Sequence, residues 1–199
     1  MRPTAFDSTA FDSIAFGSAA FGAACTRAPS RESPQTQFKN DSPVKKPQQE
    51  IHRLGAQTRA LPSRLESLLS YWLQKCDGRQ MPSRADLPTA ELQPWLGQLA
   101  LIEVTGEQDF HIRICGTNLI RRFGREATGV GVNELADDIA AQIKSILKST
   151  IKAAAPIVAV SPIEFGRATV FYCEVALPLS GPGARVAAVL LGSYQFRES

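Results

Sequence analysis

The sequence predicts an α+β domain over residues 61–199: a five-stranded antiparallel sheet with helices on one face, preceded by an N-terminal amphipathic helix and a disordered tail. Apolar residues recur at helical spacing in two stretches, Leu65–Leu73 and Ile139–Ile151. Runs with strand character come as a pair before the second stretch and as a trio after it. Glycine-containing turns join neighbouring runs, which suits hairpins and so an antiparallel sheet with its helices gathered on one side.

The first ordered element is expected at about 63–76. Ser63 is followed three residues later by Glu66, the spacing of a capping box. Leu65, Leu68, Leu69, Trp72 and Leu73 then form one apolar stripe, and Gly78 supplies a left-handed stop. Arg79–Pro88 is polar and carries two prolines, so it reads as a structured loop. Thr89–Leu92 predicts one helical turn, ended by Pro94.

Leu99–Val104 is an apolar run short enough for a strand. Phe110, Ile112 and Ile114 alternate with His111, Arg113 and Cys115, which predicts a half-buried strand paired with it as a hairpin. Thr117–Phe123 reads as a short helix stopped by Gly124. Asp137 or Asp138 is expected to cap a longer helix to about Lys152, burying Ile139, Ile143, Ile146, Leu147, Thr150 and Ile151. The last three strands are expected at Ile157–Phe165, Thr169–Leu177 and Arg185–Phe196, with Pro162 marking an edge or a bulge.

Residues 1–60 read differently. Phe6, Phe11, Phe16 and Phe21 recur every five residues in a fourfold TAFDS-like repeat. That period matches neither a helix nor a strand, so the aromatics cannot line one face. The repeat is expected to be low-complexity sequence, with a weak aromatic sticker segment as the alternative. Residues 26–60 are rich in Pro, Ser, Gln and Lys and read as disordered linker, with a weakly patterned helix around Gln48–Arg59 as the alternative.

The net charge is +3, and all of that excess lies in residues 1–60, which hold eight Lys/Arg against five Asp/Glu. Residues 61–199 hold fourteen of each and carry no electrostatic footprint for nucleic acid. No apolar run reaches the roughly 18 residues of a membrane span. Asp7, Asp12 and several serines interrupt the N-terminus, making it a poor secretory signal. Cys25, Cys76, Cys115 and Cys173 are scattered without metal spacing, which fits thiols in a reducing cytoplasm. The expected location is cytoplasmic.

Several separated motifs carry a family resemblance. Tyr71-Trp72, Gly78-Arg79, Met81-Pro82-Ser83-Arg84-Ala85-Asp86-Leu87, Phe110 to Thr117, Phe123-Gly124-Arg125-Glu126-Ala127-Thr128-Gly129 and Leu177-Pro178-Leu179-Ser180 occur in order over residues 61–196. Together they resemble a family of small alphaproteobacterial PAS-domain proteins. The resemblance implies a five-stranded antiparallel sheet with helices inserted between its second and third strands. It also implies a bacterial, intracellular sensory module for signal transduction, acting through protein–protein interaction and gated in one version by a small ligand. The alternative is a ligand-free structural interaction domain with a filled core. Neither version involves catalysis. The implied partner is an unidentified protein, with a small-molecule ligand and a homodimer as open possibilities, and with no nucleic acid and no membrane span.

Candidate contact residues follow from the same motifs. Arg79, Arg84 and Asp86 are charges held near two prolines: an anion clamp on one reading, an internal pair pinning the loop on the other. Arg113, Thr117 and Asn118 sit where a PAS cavity would be bordered, although Arg113 alternates with the apolar strand residues and so points away from them. Leu65, Leu69 and Trp72 offer an interaction face, or else pack on the domain's own sheet. No cofactor or metal is expected. Residues 117–153 contain no histidine to ligate haem, and Cys115-Gly116-Thr117-Asn118 has the wrong order for a flavin photosensor's reactive cysteine. His111 reads as solvent-facing, and Cys115 and Cys173 as small buried hydrophobes. Gly129-Val130-Gly131 lacks the third glycine of a dinucleotide fingerprint, and there is no G-x-S-x-G or H-E-x-x-H. Glu103 and Glu174 are strand carboxylates that nothing in the sequence pairs.

Overall fold

Alternate residues of the same strands face two different cores, and this decides the architecture. Ala100, Ile102, Ala176, Val189 and Leu191 belong to one buried cluster, while Leu99, Leu101, Val175, Leu177 and Leu190 belong to the other. The structure is a computed structural model and describes residues 49–53, 61–166 and 168–196. The phenylalanine repeat, Cys25 and most of the expected linker lie outside the described residues.

The elements are β1 (Glu50–Arg53), α1 (Ser63–Cys76), β2 (Leu99–Val104), β3 (Phe110–Cys115), α2 (Ile120–Phe123), α3 (Asp137–Ala153), β4 (Ile157–Phe165), β5 (Ala168–Ser180) and β6 (Val186–Phe196). They form one antiparallel sheet of six strands in the order β1-β4-β5-β6-β2-β3. The sixth strand corrects the sequence expectation. β1 falls where linker or helix is expected, because its polar sequence EIHR draws its order from pairing Glu50–Arg53 with Ile157–Val160. His52 therefore sits on a strand. β1 ends opposite Ile157–Val160, so Pro162 lies on the part of β4 that β1 does not cover, where a missing N–H disrupts no ladder.

The expectation of helices on one face also needs correction. α2 and α3, between β3 and β4, cover one face, with Leu119, Phe123, Ile139, Ile143, Ile146 and Leu147 buried in its core. α1 and the chain up to β2 cover the other, burying Leu65, Leu68, Leu69, Trp72 and Trp95. Gly192 permits the close approach of α1, since a Cβ there would stand 2.7 Å from Leu68 Cδ2.

Local details depart from the sequence reading in two places. Ser63 is the first helical residue of α1 and Pro62 the N-cap, so no Ser63–Glu66 capping box forms. Leu73 is 52% exposed and Cys76 takes its place in the stripe. Eleven residues from Leu65 bring Cys76 back to nearly the same helical azimuth, whereas eight place Leu73 well to one side. α3 likewise begins at Asp137 with Ala136 as N-cap.

Candidate functional site

A charged cluster interrupts the apolar core on the α2–α3 face. Along β5, Tyr172, Glu174 and Ala176 point the same way by strand alternation, and only the last is apolar throughout. Glu174 pairs across the sheet with Ala159 and Ser193. Its carboxylate accepts from Ser161 Oγ at 2.5 Å, from Ser193 Oγ at 3.3 Å and from Arg122 Nε at 3.0 Å. Arg122 and Glu174 are both fully buried.

Three elements hold Arg122 in place. It lies on the four-residue helix α2, next to buried Phe123, and Gly124 ends the helix at φ 75°. Arg122 Nη2 donates to Gln142 Oε1 of α3 at 3.0 Å, and the guanidinium lies 5.4 Å from the centre of the Tyr172 ring. Gln142 Nε2 in turn donates to Pro162 O at 2.8 Å, and Gln49 Nε2, just before β1, donates to Ser161 Oγ at 2.8 Å. Arg122 Nη1 is buried without a hydrogen-bond partner in the protein. Burial pushes the Tyr172 hydroxyl up, against the opposing pull of Arg122 and Arg121. The cluster can hold an ion pair out of water and can offer two N–H groups at Nη1 to an acceptor.

The sequence-predicted contact residues lie elsewhere and do not converge. Arg79 donates to Cys76 O and Lys75 O at 3.1 Å, closing the C-terminal turn of α1, and its Nη1 reaches Asp86 Oδ2 at 2.9 Å. The same Asp86 oxygen accepts from Ser83 N at 2.7 Å and Ser83 Oγ at 2.8 Å. Arg79 first, and then Ser83, hold this carboxyl down to about 2. Ser180 N donates to Pro82 O at 2.8 Å, stitching the loop to the end of β5. Arg84 donates to Leu87 O and, at 3.4 Å, to Thr89 Oγ1.

Arg113 pairs with Glu103 at 2.7 Å on the exposed side of the hairpin. Thr117 and Asn118 are exposed in the turn before α2. Leu65, Leu69 and Trp72 are buried against the chain's own sheet, and Trp72 Nε1 donates to Pro178 O at 3.0 Å. The interaction-face reading of this stripe is thereby corrected: the side chains are already enclosed.

Sequence reasoning missed Arg122, and it noted Glu174 without a partner. Glu103 and Glu174 pair with arginines and not with each other. Among the described residues, no group of three or more His, Cys, Asp or Glu is placed to hold a metal, and no helix is long and apolar enough to cross a membrane. Burial pushes the Cys76 and Cys115 thiols up, away from the nucleophilic thiolate.

A family model described as PAS domain matches residues 61–194. Among solved structures, the chain is similar to a light-oxygen-voltage domain studied with a flavin analogue, at 11% identity and TM-score 0.43, over 57% of this chain and 89% of that one. It is also similar to an RNA-binding light-oxygen-voltage receptor, at 12% and 0.41, over 74% of this chain and 38% of that one. A third similarity is to the PAS domain of histidine kinase ThkA, at 16% and 0.34, over 48% and 96%. No curated protein matches the chain.

Proposed function

Because this chain belongs to the PAS domain family, whose members are sensory modules, we propose that it is a non-catalytic cytoplasmic signalling module that acts on a protein partner. In this reading a small ligand gates it by shifting the segment 117–153 between two arrangements. An alphaproteobacterial source, suggested by the ordered motifs from Tyr71-Trp72 to Leu177-Pro178-Leu179-Ser180, is part of the proposal.

One observation carries it: the fully buried Arg122–Glu174 pair, with Arg122 Nη1 lacking a partner. A four-residue helix has little stability of its own. Here a charged contact to the central strand β5 helps to hold it. Such a contact is sensitive to competition, because a compound that offers Nη1 an acceptor changes the balance at the pair. Differential affinity for two arrangements is what a ligand needs to shift them.

The test is a thermal-shift screen of the full chain against a library of metabolites bearing carboxylate or carbonyl groups. A ligand selective for the folded state raises the melting temperature. The expected hit loses its effect in Arg122→Lys, which keeps the charge and alters the donor geometry, and keeps it in Arg125→Lys on the exposed surface. A library-wide absence of shift would sink the ligand-gated version. It would favour the second reading, a ligand-free interaction domain, which the filled apolar core of Phe110, Ile112, Phe123, Ile143 and Leu147 supports.

A further inference from the structure

The face of the sheet opposite the Arg122–Glu174 cluster carries a small apolar notch beside the chain that joins α1 to β2. Its walls are Leu87, Leu99, Leu101, Leu179 and Leu190, all nearly buried, and Arg84, Leu96 and Ile114 stand at its rim. A shallower groove continues from it past Arg84, Leu101 and Leu179 towards Glu103 and Ala188.

Two features set this place apart. The first is a β-bulge in the hairpin. Leu101 pairs with Ile114 and Ile102 with Ile112, so Arg113 is an extra residue in β3. A bulge re-aims the residues beyond it. Ile114 consequently leaves the side occupied by Ile112 and stands 37% exposed at the notch, while Ile112 is fully buried. Uninterrupted alternation would bury both.

The second feature is charge. Glu103 is neutralised by Arg113 at 2.7 Å, and Asp86 by Arg79 at 2.9 Å. Arg84 donates only to a carbonyl and a hydroxyl, and among the described residues no carboxylate lies within ion-pairing distance of it. The groove thus has an apolar floor and one uncompensated guanidinium at its edge.

We propose that this groove seats a short segment of a protein partner bearing one large apolar side chain beside an aspartate or glutamate. The apolar side chain enters the notch over Leu101 and Ile114, and the carboxylate meets the Arg84 fork, which suits paired N–H···O contacts. Anchors of this kind, filling a desolvated pocket beside a charged contact, carry most of the affinity in small interfaces. The proposal rests on the reading of the chain as a module that acts through a protein partner.

The test is selection of random peptides displayed on phage against the full chain, followed by fluorescence-polarisation affinities for the winning sequences. Leucine, isoleucine, methionine or phenylalanine next to an acidic residue should be enriched. Arg84→Glu should exchange the acidic preference for a basic one. Arg84→Ala and Ile114→Ala should each weaken the best peptide about tenfold or more, a loss of about 1.4 kcal/mol, with melting temperatures unchanged. Peptides with no acidic preference, or affinities indifferent to both substitutions, would overturn the proposal. So would concentration-dependent dimerisation abolished by Ile114→Asp, since the occupant would then be a second copy. Failure here, with ligand shifts intact in the metabolite screen, would refute this groove and leave the sensory reading in place.

Discussion

Replacing Glu174 by alanine is expected to destabilise the domain by about 3–5 kcal/mol, because it leaves a buried guanidinium without its counter-ion. The size follows from the surroundings. Arg122 and Glu174 are both fully buried, and Ser161 and Ser193 lose the same acceptor when the carboxylate goes. For a domain of this length the loss corresponds to a melting-temperature drop of about 10–15 °C. Removing both charges behaves differently. Arg122→Met with Glu174→Leu leaves no charge to solvate, and apolar replacement of a buried pair is often neutral or better. The remaining cost is the hydroxyl of Ser193, about 1 kcal/mol, and part of the bonding of Ser161 and of the half-buried Gln142 Oε1, about 0.5 kcal/mol each. The double variant should therefore lie within about 2 kcal/mol of the parent, well above Glu174→Ala alone.

Urea unfolding of the parent, Glu174→Ala and the double variant measures both numbers. A loss below about 1 kcal/mol in Glu174→Ala, the range of an exposed pair, would refute the reasoning by showing that water reaches the site. A double variant no more stable than Glu174→Ala would refute it as well, since the penalty would then owe nothing to an orphaned charge.

Four further outcomes are expected. Asp86 titrates at about 2 against an ordinary 3.8, so its stabilising effect is complete above the ordinary value and is lost as pH falls towards the lower one. Asp86→Asn should flatten that acid limb in a stability–pH profile. Burial first, and then Glu91, raise the Tyr71 hydroxyl from 10.0 to about 12, so its contribution holds below the ordinary value and fades as pH rises through the higher one. Absorbance titration of Glu91→Gln should show tyrosinate forming at lower pH than in the parent. Trp72→Ala should cost about 3–5 kcal/mol in urea unfolding, against about 0.5 kcal/mol or less for the half-exposed Leu73→Ala. Gly116→Ala should lower the melting temperature, because its Cβ would lie 2.2 Å from Leu96 O and 2.5 Å from Gly97 O, both backbone atoms.

Strong periodicity is what made elements legible. β2, β3 and β4 fall on their predicted residues, and α1 spans the expected 63–76. Both N-caps are misjudged for one reason. Ser63 and Asp137 already have helical backbone, while Pro62 and Ala136 serve as N-caps without side-chain bonds. The capping box forms instead at Ser83 and Asp86, because a favourable spacing cannot show which turn the backbone takes. The two-sided burial of the sheet left a trace that the one-face reading passed over. LALI in β2, VALPL in β5 and VAAVLL in β6 are continuous apolar runs, the pattern of strands covered on both faces. β1 left none, since a short polar strand takes its structure from its neighbour.

The candidate site was half legible, and the missing half has a physical cause. Glu174 stands in FYCEVALPLS, the middle of the most apolar strand and in line with Tyr172 and Ala176. A carboxylate in that position must be paired, because an isolated buried charge is too costly to keep. The sequence therefore announces that a cation comes to Glu174. It does not say which one. Arg121 and Arg122 are adjacent on a helix of four residues, too short for a periodic stripe to mark the inward side. One is exposed and the other is fully buried. The choice is made by Phe123 and Gly124, which fix how the turn seats on the sheet, and by Gln142 from the next helix, which takes the second guanidinium nitrogen. Local sequence supplies the demand for a partner, and the packing of three elements distant in the chain supplies its identity.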